Sequence, residues 1–359
     1  MKKKFLALAL TAVMALSLAA SGGDTQTSGD TSTDDTASGD GQTYTVGIIQ
    51  QMQHEALDAA TEGFQAALTE KLGDSVTIEF ENASGDPSNY STIANNFVSQ
   101  GVDLIMANGT SALQAASTAT STIPILGTSI TEYGVALGID GFEDTTGFNV
   151  SGTSDLAPLE EQANMLHTWF PEAQTVGLLY CSGEPNSQYQ VDTVQSYLEE
   201  MGYTCTQYSF SDSNDLSAVA TNACAQSDVV YIPTDNTAAN NAELIGNIAL
   251  DSSTPIIAGE EGICKGCGVA TLTISYYDIG YATGEMAYEI LVNGADPAAM
   301  PIEYAPQFTP QYNPTMCEAL GLTAPEGYEA IAEYPPRTFK NLKRASGKGA
   351  SLFRYSLLE

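Results

Sequence analysis

The chain has 359 residues, enough for about two domains, and its 44 Asp and Glu against 11 Lys and Arg give a net charge of -33. Such an excess of acid excludes nucleic acid and anionic membrane surfaces as partners, because both are bound through clustered basic side chains. The few cations are also segregated: Lys2, Lys3 and Lys4 open the chain, six more follow Pro336, and the stretch from 21 to 336 holds only Lys71 and Lys265, with no arginine. Any anionic group bound by this body must be held largely without cationic side chains.

In chain order, residues 1–20 join the basic start to an apolar run from Phe5 to Leu18 and then to small residues, the pattern of an export signal. The run falls short of the roughly 20 residues that span a bilayer as a permanent anchor. The junction Leu18-Ala19-Ala20-Ser21 resembles a bacterial lipoprotein box except at Ser21, which stands where the lipid-accepting cysteine belongs. A hydroxyl cannot form that thioether. Residues 21–43 are Ser, Thr, Gly and Asp almost throughout, too polar to bury a core, and read as a flexible tether.

Between 44 and 336, β-branched apolar runs alternate with helical patterns, which predicts βα units on parallel sheets. The first half predicts strand Tyr44 to Ile49, helix Ala56 to Leu72, strand Val76 to Glu81, helix Tyr90 to Gln100, strand Val102 to Ala107, helix Ser111 to Thr120 and strand Pro124 to Leu126. The second repeats the order with Thr175 to Tyr180, Tyr189 to Met201, Thr204 to Phe210, Leu216 to Ala225, Val229 to Ile232, Ala238 to Ala249 and Pro255 to Ala258. Thr45-Val46-Gly47-Ile48-Ile49 recurs as Thr175-Val176-Gly177-Leu178-Leu179, and Ile123-Pro124-Ile125-Leu126 as Thr254-Pro255-Ile256-Ile257. The fold class is therefore α/β, with two doubly wound parallel-sheet lobes produced by duplication. From Arg337 to Glu359 six basic residues meet one acidic residue, and this basic tail is placed outside the fold.

In open α/β sheets a ligand sits beyond the carboxyl ends of the strands. Those ends supply Gln51 and His54, then Thr110 and Ser111, then Thr128 and Ser129 from the first lobe; the second supplies Asn186 and Ser187, then Asp235 and Asn236, then Glu260. One lobe offers hydroxyls and helix starts, the other carboxylates, a polarity suited to a zwitterion. A helix start such as Asn108-Gly109-Thr110-Ser111-Ala112 carries unpaired N–H groups and can hold a carboxylate without Lys or Arg, while Asp235 or Glu260 could receive an ammonium. Thr110 and Asp235 serve equally well as plain N-caps. Tyr133, Tyr180, Tyr189, Tyr276 and Tyr277 fall near predicted cleft edges as a wall for an aromatic ligand, though any single tyrosine is more often core or surface.

Asn149-Val150-Ser151-Gly152-Thr153-Ser154-Asp155, Tyr231-Ile232-Pro233-Thr234-Asp235-Asn236-Thr237, Gly259-Glu260-Glu261-Gly262 and Ile274-Ser275-Tyr276-Tyr277-Asp278-Ile279-Gly280 together resemble the TrpX-type substrate-binding proteins of bacterial ABC uptake systems. The resemblance covers about residues 44–330. It implies a type I periplasmic-binding-protein fold whose lobes, joined by a three-strand hinge, close on an aromatic or other hydrophobic amino acid. It also implies that Ser111, Thr128 and Ser129 hold the α-carboxylate and Asp235 the α-ammonium, and that ABC permease subunits are the protein partners of an extracytoplasmic binding protein, which is expected to be a monomer. Hinge crossings are expected near Gly152, Ser275 and Ile302, which assigns 44–152 with 276–302 to lobe 1 and 153–275 with 303–336 to lobe 2.

Six cysteines are present at 181, 205, 224, 264, 267 and 317, and export permits Cys264-Lys265-Gly266-Cys267 to close a loop disulfide, with free thiols as the next reading. No second close Cys pair or neighbouring His suggests zinc, so no metal or cofactor is expected. An enzyme is disfavoured by the presence of only His54 and His167 and by the lack of a Gly-rich phosphate loop. A ligand-sensing ectodomain would share the fold and the pocket, and remains the alternative.

Overall fold

The computed structural model describes residues 42–331. The predicted export signal, the Ser21 junction, the tether up to residue 41 and the basic tail lie outside the described residues. Among the described residues no helix is long and apolar enough to cross a membrane.

The first half builds β1 (Tyr44–Gln50), α1 (Glu55–Leu72), β2 (Val76–Asn82), α2 (Pro87–Gln100), β3 (Leu104–Asn108), α3 (Thr110–Ala119), β4 (Ile125–Ile130), α4 (Tyr133–Leu137) and β5 (Val150–Ser154). The second builds α5 (Leu159–Trp169), β6 (Thr175–Cys181), α6 (Pro185–Glu200), β7 (Thr204–Phe210), α7 (Ser213–Gln226), β8 (Val229–Ile232), α8 (Asn236–Asn240), α9 (Ala242–Ser252), β9 (Ile256–Ala258), α10 (Glu261–Gly266) and β10 (Ala270–Thr273). The chain then adds α11 (Tyr276–Leu291), β11 (Glu303–Tyr304), β12 (Thr309–Tyr312), α12 (Pro314–Leu320) and β13 (Glu329–Ala330). Local chemistry sets many of these boundaries. Asp86 caps α2 from the front with Pro87 at its first position, and Gly101 ends it in the left-handed conformation. A reciprocal capping box between Asp212 and Asp215 opens α7.

Two sheets result. One has the order β11-β5-β4-β3-β1-β2, and the other β13-β12-β10-β9-β8-β6-β7. Stripped of their last-added strands, both read 2-1-3-4-5 in their own numbering, which is the duplication expected from the repeated motifs, with each topological switch lying beside the first strand of its half. The first sheet is parallel throughout. In the second, β12 is antiparallel to β10, a departure from the all-parallel expectation, because it arrives from the first lobe and runs along the edge in the opposite sense. Each sheet is covered on both faces. Val46, Ile48, Leu104 and Met106 meet Phe64, Leu68 and Met286 on one side of the first, and Ile49, Ile105 and Ile125 meet Ile93, Phe97 and Leu113 on the other. In the second, Val176 and Leu178 face Leu166, Val194 and Met316, while Val230, Ile232 and Ile256 face Leu216, Ile245 and Ile263. Strands buried on both faces read as continuous apolar runs, which is why they were visible in the sequence.

Several expectations shift. Residues 153–154 and 303–304, assigned by the sequence to the second lobe, belong to the first sheet, because the ladder continues past Gly152 through Ile130 opposite Ser154 and Thr153 opposite Glu303. The chain therefore crosses after Asp155, before Ser275 and after Tyr304. The helix expected from 238 to 249 is two helices, broken at Asn241, because Asp235 caps a short first turn of its own. The segment carrying Cys264 and Cys267 is the helix α10 and its end rather than a Gly-rich loop. Its thiols are buried and unoxidised, as all six cysteines are free, so the loop disulfide does not form: Cys264 lies inside the helix, and Cys267 Sγ instead donates to Ile263 O at 3.2 Å.

Candidate functional site

The ends of β1, β3, β4 and β5 in one lobe oppose the starts of α6 and α8 in the other. At the first lobe, Gln51 N donates to Asn108 O (2.9 Å), and its side-chain Oε1 accepts from Ser111 N (2.9 Å), so the glutamine closes one first-turn amide of α3. Gly109 makes this possible: its φ is 101°, and a Cβ there would lie 2.7 Å from Gln51 Oε1. Thr110 is buried at the helix start, and Ser111 is half-buried beside it. Thr128 is turned into the lobe, its Oγ1 bonded to Thr153 Oγ1 (3.1 Å), and the latter reaches Thr283 Oγ1 at 2.9 Å. Ser129 behaves differently. Its backbone has φ 56°, and its buried Oγ has no hydrogen-bond partner.

At the second lobe, Glu184, which the sequence reading did not single out, accepts from Asn236 N and Nδ2 with one oxygen and from Thr237 N and Oγ1 with the other. Asp235 accepts from Cys181 N (2.7 Å) and from Ala238 N (2.8 Å), so the capping role weighed for it is real and occupies both oxygens. Burial first, and Glu184 second, push its carboxyl well above the usual range. Asn186 bonds through Nδ2 to Thr234 O (3.1 Å), which fixes the amide and leaves Oδ1 buried and unpartnered. Ser187 is fully buried beside it. Both belong to the first turn of α6 rather than to a loop, because Pro185 starts the helix early. Glu260 caps α10 through Gly262 N (2.7 Å) and Ile263 N, and burial raises its carboxyl to about 7.

The lobes touch. His54 Nε2 lies 3.0 Å from Asn236 Oδ1, and Lys265 Nζ binds Glu55 across the mouth as well as Glu261 on its own helix. Burial holds the His54 imidazole neutral to lower pH than usual, against the pull of Asn236 and Glu184. Tyr90, another cleft residue missing from the sequence reading, has its phenol ionisation pushed up by burial and then by Glu184 from the opposite lobe, with Ser111 acting in the other direction. A crevice of about 630 Å³ along this mouth is lined by Gln53, His54, Asn240 and Lys265 among others. Tyr276 sits at the hinge, where its hydroxyl donates to Asp155 Oδ2 at 3.0 Å. Of the remaining tyrosines, Tyr133 is core, its hydroxyl bonded to Thr153 O at 3.1 Å, Tyr180 is buried against Gln188 and Gln207, and Tyr277 is exposed and stacked on Tyr281. Of the five tyrosines expected to form a wall, Tyr189 is half-buried, and Tyr90, outside that set, packs at the edge of the first-lobe core near Ser111. The other described lysine, Lys71, pairs with Glu285 on α11 at 2.9 Å. Among the described residues no three His, Cys, Asp or Glu side chains are grouped to hold a metal.

Two lobes of identical winding, a three-crossing hinge and a polar cleft between strand ends define the type I periplasmic-binding-protein fold. A family model for the ABC transporter substrate binding protein matches residues 45–334. The chain belongs to that family.

Among its relatives in the ABC substrate-binding family is a tyrosine-binding protein of Clostridioides difficile (strain R20291), 34% identical over 293 residues, which covers 80% of this chain and 84% of the relative. An ABC domain from Streptococcus pneumonia in complex with L-Trp superposes with a TM-score of 0.77 at 30% identity, covering 81% of this chain and 100% of that one. A ligand-free, open substrate binding protein with adhesive properties from Clostridium difficile gives a TM-score of 0.62 at 34% identity, covering 80% of this chain and 99% of that one. Greater sequence identity thus goes with poorer superposition on the open structure. That order agrees with the His54–Asn236 and Lys265–Glu55 contacts, which draw the lobes of this substrate-binding protein together.

Proposed function

We propose that this substrate-binding protein captures an aromatic amino acid, tyrosine or tryptophan, outside the cytoplasm and delivers it as a monomer to the permease subunits of an ABC uptake transporter. The observation that carries the reading is the division of the cleft. The α3 start with the unpartnered Ser129 hydroxyl on one lobe presents donors to a carboxylate, while the opposite wall and the hinge present buried carboxylates. Donors preset toward an anion in a water-poor site replace the missing arginine. Tyr90, between Ser111 and Glu184, offers a ring face and a hydroxyl to an aromatic side chain. The names of the relatives point to the same ligand class. Lobe closure then follows from a ligand that bonds to both walls at once, because only the closed form makes both sets of contacts.

Calorimetric titration with the twenty amino acids, together with native mass spectrometry of the purified protein, tests this reading. Tyrosine or tryptophan should bind most tightly, on the order of micromolar or better, with one ligand per chain. A tighter complex with a sugar or an aliphatic amino acid would sink the aromatic reading.

A further inference from the structure

The carboxylates around the cleft are not equivalent. Glu184, Asp235 and Glu260 each spend both oxygens on N–H or O–H donors of their own lobe. Asp155 does not. It follows β5 where the chain leaves the first lobe, and it is 4% exposed. Its Oδ2 accepts from Tyr276 at 3.0 Å, and Tyr276 itself opens α11 where the chain returns, so this bond ties two of the three hinge crossings together. Its Oδ1 is buried without a partner. Asp155 N donates to Ile130 O (3.2 Å), which seats the residue at the strand end beside Ser129, whose Oγ is likewise buried and unpartnered. Asn186 Oδ1 is a further unpartnered acceptor at the cleft end of the second lobe. Buried polar atoms are nearly always satisfied in folded proteins, and a carboxylate oxygen left bare in a protein interior calls for a donor from outside the chain. The influences acting on Asp155 are burial, which raises its carboxyl, and hydrogen bonds from Thr131, Tyr276 and its own backbone N–H, which act against it; no lysine is among them.

We infer that Asp155, rather than Asp235, receives the α-ammonium of the bound amino acid through Oδ1, with Ser129 on the neighbouring strand serving the α-carboxylate. The assignment rests on the amino-acid reading of the site and goes beyond it by naming the charge partner and placing it on the hinge. Two adjacent strand ends then read the two charged groups that every α-amino acid carries on one carbon. The Tyr276 bond holds the carboxylate in place while one oxygen faces the ligand.

The test compares L-tryptophan and L-tyrosine with their desamino analogues, indole-3-propionate and 3-(4-hydroxyphenyl)propionate, on the wild type, Asp155→Asn and Asp235→Asn, by calorimetry of the mature protein. Asp155→Asn keeps the shape and one acceptor for Tyr276 while removing the charge and turning the other acceptor into an N–H donor. Amino-acid affinity should fall roughly ten- to hundredfold, while affinity for the desamino analogues stays within about twofold, which also shows that the variant is folded. An equal loss for both ligand types would assign Asp155 a purely structural role and overturn the proposal. So would erasure of the preference by Asp235→Asn and not by Asp155→Asn. If the wild type binds no amino acid, the parent reading fails first and this assignment falls with it, an outcome visible before any variant is made.

Discussion

At Ser129 the backbone is held in the left-handed region, a conformation that costs a non-glycine residue on the order of 1 kcal/mol, and its buried hydroxyl gains no bond within the protein. Strain without local return is what the proposed ligand role would require of this residue. Ser129→Ala is therefore expected to weaken amino-acid binding about tenfold while shifting the melting temperature by no more than about a degree, as read by calorimetry and differential scanning fluorimetry. Asp235 predicts the opposite pattern. Its two oxygens satisfy the Cys181 and Ala238 amides, so Asp235→Ala strands two buried donors and uncaps α8. A loss of about 2–4 kcal/mol in urea unfolding is expected. The contrast explains what the sequence allowed at this scale. That Asp235, Ser129 and Asn186 stand at strand ends follows from periodicity and from the rule that ligands sit there. Which oxygen is already taken by a backbone amide depends on how Cys181 and Ala238 approach in three dimensions, and no spacing of residues reveals it. Asp155 lies within one of the motifs that carry the family resemblance, but its place at the hinge follows from the approach of Tyr276, which no spacing in the sequence shows.

Between elements, one tight constraint is the crossing of α1 on α11. A Cβ on Gly63 would lie 2.1 Å from Tyr277 O, and one on Gly280 would lie 2.0 Å from Ala60 O. Backbones this close leave room for hydrogen alone. Gly280→Ala should force the helices apart and cost about 2–4 kcal/mol or more, despite the higher helix propensity of alanine; chemical denaturation measures it. Because α11 begins at the hinge, the same variant should also alter ligand affinity. The repeated strand order was legible because strands covered on both faces are apolar runs, and the two copies carry them at the same intervals. The break at Asn241 and the helix α10 are not legible in the sequence, since each is decided by a buried acidic cap, Asp235 or Glu260, and only for Asp235 does the sequence offer capping beside a ligand role.

The whole molecule titrates with a definite sign. Glu260 is raised to about 7, and Asp155 and Asp235 are also raised by burial, so the folded form holds these protons more tightly than the unfolded chain does. Their contribution is fully present below the ordinary carboxyl range and is lost as pH climbs through the raised values. His54 is lowered and works in reverse, contributing stability above about pH 6.5 and losing it as pH falls. Above that pH the raised carboxyls lose their contribution, and the thiols raised by burial begin to act in the same direction. The free protein should therefore melt a few degrees lower at pH 8 than at pH 6.5 in scanning calorimetry at constant salt, and Glu260→Gln should flatten that slope. A saturating amino acid should reduce the slope as well, by stabilising the ionised form of Asp155. One feature of the cleft now takes on a different meaning. Glu184 acts on Asp235 within its own lobe and on Tyr90 and His54 across the cleft, and the described residues supply no arginine in that space. Shut and empty, that space would confine like charges stripped of water; ajar, each is hydrated. If an amino acid binds as proposed, its ammonium brings the counter-ion that the closed cleft lacks, so a loaded cleft should stay shut more readily than an empty one.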